Sequence, residues 1–290
     1  AMKTQIEFTH ALITVPPQNV IVTRTNYTNA LPVTLSATAS GAAPLLYQWQ
    51  FNGENIRGAT NPVLGFTLFQ SRYAGDYRVI VRNAYGTVQS DLVHLTVDVG
   101  DLPMTDGFDE RQRSDAPFSN RLPANRGTGR SSNLKATVER GKGEPNHAGV
   151  YGGASMWATW TPSASGVATF STVGSAIDTV LAVYTAKDPA APVVGGLREV
   201  AANDNAGDGV KGSEVTFNAD FGTVYYIAVD GAGGIGNEHF VNRELVPRGA
   251  FKLSWALDPT APRLPFFTGT FQSRSEEHTS ELQSHHDLVC

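Results

Sequence analysis

The chain has 290 residues, room for two ordinary domains or one large one. Hydrophobic residues make up 41% and charged residues 17%, which supplies packed cores and excludes a disordered chain. No apolar run approaches the roughly 18 residues of a membrane span, and a formal charge of −5 excludes a strongly basic nucleic-acid binder.

Residues 1–12 read as a lead-in, and Ala1–His10 lacks the charged start and apolar stretch of a signal peptide. From Ile13 onward, period-two alternation dominates over helical periodicity. Val33, Leu35, Ala37 and Ala39 share one face of a predicted strand. Tyr47, Trp49 and Phe51 share a face of the next, and Asn52-Gly53 directly after it is a hairpin signal. Tyr77-Arg-Val-Ile-Val81 and Val93-His-Leu-Thr-Val97 alternate likewise. Such closely spaced strands predict an antiparallel sandwich. The sequon Asn26-Tyr-Thr28 precedes the first of them and carries no functional weight here.

These residues give residues 13–98 a resemblance to immunoglobulin-like domains, whose strand C holds a core tryptophan and whose strand F carries Asp-x-Gly-x-Tyr-x-Cys. Gly41-Ala-Ala-Pro44 precedes Tyr47-Gln-Trp49, and Tyr73-Ala-Gly-Asp-Tyr77-Arg-Val79 leads into Asn83-Ala-Tyr-Gly86. The resemblance implies a buried Trp49, a tyrosine corner at Tyr77, and Ala37 and Val79 at the two cysteine positions. Tyr73 stands where the family usually has Asp, which removes that local salt bridge. With Asn52-Gly53 and Ile56-Arg-Gly-Ala-Thr60, the pattern is similar to the disulfide-free, I-set-like repeats of large bacterial surface proteins.

Residues 99–115 are polar and irregular and read as a linker. Residues 116–257 turn to strand again. The clearest strands are Val167-Ala-Thr-Phe-Ser-Thr172, Ile177-Asp-Thr-Val-Leu-Ala-Val-Tyr184, Glu214-Val-Thr-Phe217, Val224-Tyr-Tyr-Ile-Ala-Val229 and Phe251-Lys-Leu-Ser-Trp255. Asn203-Asp-Asn-Ala-Gly-Asp-Gly209 and Asp230-Gly-Ala-Gly-Gly-Ile-Gly236 are turn clusters between them. The ordered series Gly143-Glu-Pro-Asn-His147, Gly153-Ala-Ser-Met-Trp157, Trp160-Thr-x-Pro162, Asp178-Thr-Val-Leu-Ala-Val-Tyr184, Asn203-Asp204 and Tyr226-Ile-Ala-Val-Asp-Gly231 resembles the bacterial pre-peptidase C-terminal sandwiches. That resemblance implies a jelly-roll-like, non-catalytic accessory module of a secreted protein. The insertion Asn237 to Pro247 departs from the compact glycine loop of that family.

Several residues invite a chemical reading. Asp204 and Asp208, with Asn205 between them and Asp178 and Asp230 in neighbouring segments, are the calcium candidates, since calcium takes oxygen ligands from flexible loops. Their spacing is not that of an EF-hand, and Asp and Asn also cap turns through their own backbone. Glu144-Pro-Asn-His147 reads as a loop tied by its own hydrogen bonds, because zinc needs three or four ligands and no His-Glu-x-x-His is present. No Gly-x-Ser-x-Gly elbow marks a hydrolase, and Gly231 to Gly236 opens no helix for a dinucleotide. The prediction is therefore no enzyme, and no cofactor beyond the calcium candidate. Carbohydrate binding needs exposed aromatics. Trp49 and Trp255 alternate in phase with core strands, whereas Trp157 and Trp160 fall on opposite faces of one strand, so Trp157, Trp160 and Tyr184 are the ligand candidates. Leu245-Val-Pro-Arg-Gly249 resembles a thrombin recognition sequence.

Residues 258–273 begin with the proline-rich Pro259-Thr-Ala-Pro-Arg-Leu-Pro265, read as a linker into a truncated further repeat. Residues 274–290 are set aside, because Arg274-Ser-Glu-Glu-His-Thr-Ser-Glu-Leu-Gln-Ser-His285 resembles a translated sequencing adapter. Without that tail the chain has 21 basic and 23 acidic residues, a net charge of −2. The tail also holds the sole cysteine, Cys290, and His278, His285 and His286, so no disulfide or thiolate site is expected.

The expectation is an all-β chain of two antiparallel β-sandwiches in tandem. They act as extracellular or cell-surface modules of a large bacterial protein, in spacing, adhesion or weak recognition. The alternative is a carbohydrate-binding accessory module of a secreted enzyme. Expected partners are neighbouring domains of a longer chain, and glycans or another surface protein, with no nucleic acid and no membrane span.

Overall fold

The computed structural model describes residues 9–23, 32–67, 69–109, 120–233 and 246–265. The sequon at 26–28, most of the 237–247 insertion, the tail and, beyond Pro265, the further repeat expected to start over Leu264 to Phe271 lie outside the described residues. Regular structure among the described residues is strand, apart from short 3-10 turns.

The first sandwich holds β1 (Leu12–Val15), β2 (Val20–Thr23), β3 (Val33–Ser36), β4 (Thr38–Ser40), β5 (Leu46–Phe51), β6 (Glu54–Asn55), β7 (Val63–Phe66), β8 (Gly75–Asn83), β9 (Gly86–Gln89) and β10 (Val93–Asp101). On one side β4 pairs with β1 and β3 with β7. Only Ala37 separates β3 from β4, and its amide bonds the Pro62 carbonyl at 3.0 Å. On the other side β2, β10, β8, β5 and β6 lie in that order, with β9 also on β8. The β2–β10 pairing is parallel, from Leu95↔Val20 to Asp98↔Thr23.

The alternation read from sequence places Leu35, Trp49, Tyr77, Val79 and Leu95 in the core. Trp49 has no exposed surface, and its indole N–H donates to the Asn61 carbonyl at 2.9 Å. The Tyr77 hydroxyl donates to the Tyr73 carbonyl at 2.7 Å, closing the tyrosine corner. Phe51 and Phe66 pack their rings against Tyr77. Ala37 and Val79 are both buried, so aliphatic packing stands where the family's disulfide would be.

The second sandwich holds β11 (Arg126–Ser132), β12 (Met156–Trp160), β13 (Gly166–Ser171), β14 (Thr179–Ala186), β15 (Leu197–Asn203), β16 (Glu214–Ala219), β17 (Tyr225–Gly231) and β18 (Ala250–Asp258). One sheet runs β16-β13-β18-β11 and the other β12-β17-β14-β15, every pairing antiparallel. Taken in chain order, the strands of one sheet are first, eighth, third and sixth, and those of the other second, seventh, fourth and fifth. That is the eight-stranded jelly-roll order.

In the second of these sheets β12, β17 and β14 are buried on both faces, while β15 is partly exposed. Trp160, Leu181, Val183, Tyr225 and Ile227 face the inter-sheet core. Trp157, Ala182, Tyr184, Tyr226 and Ala228 face outward and are covered by Phe108, His147, Val194 and Leu197. This explains why β14 and β17 read as continuous apolar runs instead of alternating ones.

Candidate functional site

The joint between the sandwiches is built from β10. Val93, His94 and Leu95 pair antiparallel with β8, while Val97, Asp98 and Asp101 pair in parallel with Gly127, Thr128 and Arg130 of β11. One ten-stranded sheet therefore crosses from one sandwich into the other. Residue 99 onward, expected as linker, continues as strand to Asp101. The physical reason is the same alternation as before it, Val97 and Val99 pointing inward and Asp98 outward, until a register shift between Asp98 and Asp101 leaves Asp101 exposed. Val97, Val99 and Leu102 belong to one apolar cluster that also contains Trp49 and Trp255.

Two glycines of β11 matter here, Gly127 for admitting the second sandwich's own Trp255 and Gly129 for the approach to β10. A β-carbon on Gly127 would lie 2.3 Å from the Trp255 ring. One on Gly129 would lie 2.7 Å from Val99 Cγ2 and 2.8 Å from Leu102 Cδ2. Beside them Asp76, 6% exposed at the start of β8, accepts Arg126 Nη2 of β11 at 2.8 Å and contacts His94 Nδ1 at 2.7 Å. Breaking a mostly buried pair of this kind leaves an uncompensated charge, a cost of about 3–5 kcal/mol. A small cleft of about 80 Å³ lies next to the ion pair, between Asn52, Gly53 and Asp76 on one side and Asp258 and Thr260 on the other.

The calcium candidates lie at the opposite, distal end of the second sandwich. Asp208 is exposed and Asp204 half-buried. The charge that reaches Asp204 is that of Asp178. Burial pushes the Asp204 carboxyl up, and Asp178 pushes it further. Burial also raises Asp178, against the Lys211 charge and the Thr179 amide. Oδ1 of each accepts no hydrogen bond from the described residues. Among those residues no three His, Cys, Asp or Glu converge on one point. Asp230 has another role: 1% exposed, it accepts the amides of Ala154 at 2.8 Å and Gly231 at 2.6 Å and clamps the Gly152–Ala154 turn onto β17. Burial raises its carboxyl, with His147 and those amides opposing.

Glu144 and His147 form a buried polar network beneath the outer cover. Glu144 accepts the Ser155 hydroxyl and the Glu139 amide, its Oε1 lies 3.5 Å from His147 Nε2, and His147 Nδ1 meets the Tyr184 hydroxyl at 2.8 Å. Burial works against the Glu144 charge, but His147, Ser155 and the Glu139 amide together hold the carboxyl below the usual range. The sequence suggested a loop tied by its own hydrogen bonds; the observed partners Ser155, Tyr184 and the Glu139 amide lie outside Glu144–His147 and tie it to its surroundings. No face of Trp157, Trp160 or Tyr184 reaches solvent. The sequence placed the two tryptophans on opposite faces, as observed, but did not reveal that the outward face is covered. Arg248, inside the thrombin-like segment, donates to the carbonyls of Ala136 at 2.6 Å and Gly153 at 3.0 Å and so holds two loops together.

The joint itself was missed. Its signals were the alternation running past Val97 and the Arg126-Gly-Thr-Gly-Arg130 strand with small residues on one face.

No protein-family model matches the chain, and no curated protein matches it. Solved structures do. A chimeric titin Z1Z2-Z1Z2 tandem is 22% identical over 31% of this chain and 50% of that one, with a TM-score of 0.26. Immunoglobulin domains 1–5 of Sidekick-1 are 18% identical over 33% of this chain and 22% of that one, with a TM-score of 0.27. The N-terminal Ig1-2 module of the Drosophila receptor protein tyrosine phosphatase DLAR is 19% identical over 31% of this chain and 46% of that one, with a TM-score of 0.27. The chain thus spans half or less of the length of each.

Proposed function

We propose that the chain is a stiff, non-catalytic pair of β-sandwiches from an extracellular or cell-surface protein, serving to space and display what is attached to it. The observation that carries this reading is the strand β10, shared by both sandwiches, with the Asp76–Arg126 pair beside it. Domains joined by an ordinary linker move relative to one another unless the interface is large and apolar. Here a hydrogen-bonded sheet and a continuous apolar cluster replace the linker. Small-angle X-ray scattering tests it. A curve fitted by one conformer at all angles supports the stiff unit, and a curve that needs an ensemble of inter-sandwich angles contradicts it.

A second reading, calcium at the distal end, is favoured by the Oδ1 atoms of Asp178 and Asp204, which find no hydrogen-bond donor among the described residues. A thermal melt with millimolar calcium tests it: ligand binding to the folded state raises the midpoint, and an unchanged midpoint contradicts it.

A further inference from the structure

The proline-rich segment after β18 does not lead straight away from the sandwich. Asp258 Oδ1 accepts the Thr260 amide at 2.8 Å, the Thr260 hydroxyl at 2.7 Å and the Ala261 amide at 3.0 Å, which turns the chain. The turn sits tightly over the start of β13, where a β-carbon on Gly166 would lie 2.4 Å from the Asp258 carbonyl. Thr260 then reaches the first sandwich: its Cγ2 lies 2.8 Å from where Gly53 would carry a β-carbon, at the β5–β6 turn. Beyond it the chain is fastened to the end of β16. Asn218 Nδ2 donates to the Leu264 carbonyl at 2.9 Å, and the Leu264 amide donates to Asn218 Oδ1 at 2.8 Å. Both terminal nitrogens of Arg263 reach Asp220 Oδ1 at 2.9 Å.

We infer that residues 259–265 act as a strap that fixes the angle between the two sandwiches. Its two ends are anchored on the second sandwich, at Asp258 and at Asn218 with Asp220, and its middle bears on the first sandwich at Gly53. It closes the joint at the cleft beside the Asp76–Arg126 pair, where Asp258 and Thr260 face Asn52, Gly53 and Asp76. The Arg263 ion pair is exposed and contributes little alone. The reciprocal Asn218–Leu264 bonds copy a strand pairing at the free edge of β16 and do more to hold the path.

The inference rests on the stiff-joint reading, and one experiment separates the two. In the full chain with Cys290→Ser, spin labels at Arg82→Cys on β8 and Glu214→Cys on β16 report the inter-sandwich distance by pulsed dipolar spectroscopy. The same pair is measured after Asn218→Ala with Arg263→Ala; should that variant not fold, Thr260→Gly, which removes the Cγ2 that bears on Gly53, carries the same readout. A narrow distribution in the parent whose width roughly doubles in the variant supports the strap. A narrow distribution in both overturns the strap and leaves the stiff joint standing. A broad distribution in both overturns the strap and the stiff joint together.

Discussion

Trp49 shows how much a single residue declares. Its place in Tyr47-Gln-Trp49 gave the strand, the face and the burial, and the structure adds only the Asn61 carbonyl that satisfies its N–H. Trp49→Ala is expected to cost about 3–5 kcal/mol of stability. A loss below about 1 kcal/mol in a urea titration would contradict the burial. Trp157 was less legible. Its direction followed from strand parity, but its cover comes from Phe108, far upstream, and from His147 in the preceding loop, and no strand pattern announces that. Asp204 was legible as a loop carboxylate with Asp178 in a neighbouring segment, and the structure adds that the Asp178 charge reaches it. Because burial and the Asp178 charge both oppose its ionisation, Asp204→Asn is expected to raise the melting temperature at pH 7 in calcium-free buffer. A fall in the melting temperature would show that the charge is wanted there.

At the level of elements, strands that alternate were read with their faces correct, whereas β14 and β17 were read as strands without their second buried face. The difference is physical: alternation reports one wet face, and a continuous apolar run reports two dry ones. The end of β10 was lost for another reason. Asp98, Gly100 and Asp101 make the segment look like loop, although Val97 and Val99 keep the inward phase. Gly129 decides whether β11 can lie there. Valine suits strands in general, but here its β-carbon would enter the space of Val99 and Leu102. Gly129→Val is therefore expected to destabilise by about 1–3 kcal/mol through overpacking and to uncouple the sandwiches. Calorimetry should show one transition for the parent and two for the variant. A single, unshifted transition in the variant would mean the joint does not depend on this contact.

The whole molecule combines a disulfide-free immunoglobulin-like sandwich with a jelly roll whose buried and half-buried carboxylates pull in two directions. Asp178, Asp204 and Asp230 are raised, chiefly by burial. At Glu144 and Asp258 burial is outweighed, at Asp258 by the Thr260 hydroxyl and amide and the Ala261 amide, and both carboxyls are lowered. As pH falls from neutral, the raised groups bind protons that the unfolded chain does not yet hold, so stability climbs. Once the pH passes below the ordinary carboxylate range, the unfolded chain holds protons that Glu144 and Asp258 refuse in the folded state, and stability falls. Urea midpoints measured from pH 7 downward should pass through a maximum, and a steady decline from pH 7 would contradict these assignments.

The central claim is that one strand makes two sandwiches a single body. Residual dipolar couplings of the backbone amides test it most directly, with residues 33–66 and 75–97 fitted for the first sandwich and 126–132 and 156–231 for the second. One alignment tensor, equal in magnitude and orientation for both sets, is the predicted result. Two tensors of different magnitude would mean that the sandwiches reorient independently, and the shared strand would then not make the chain a stiff spacer.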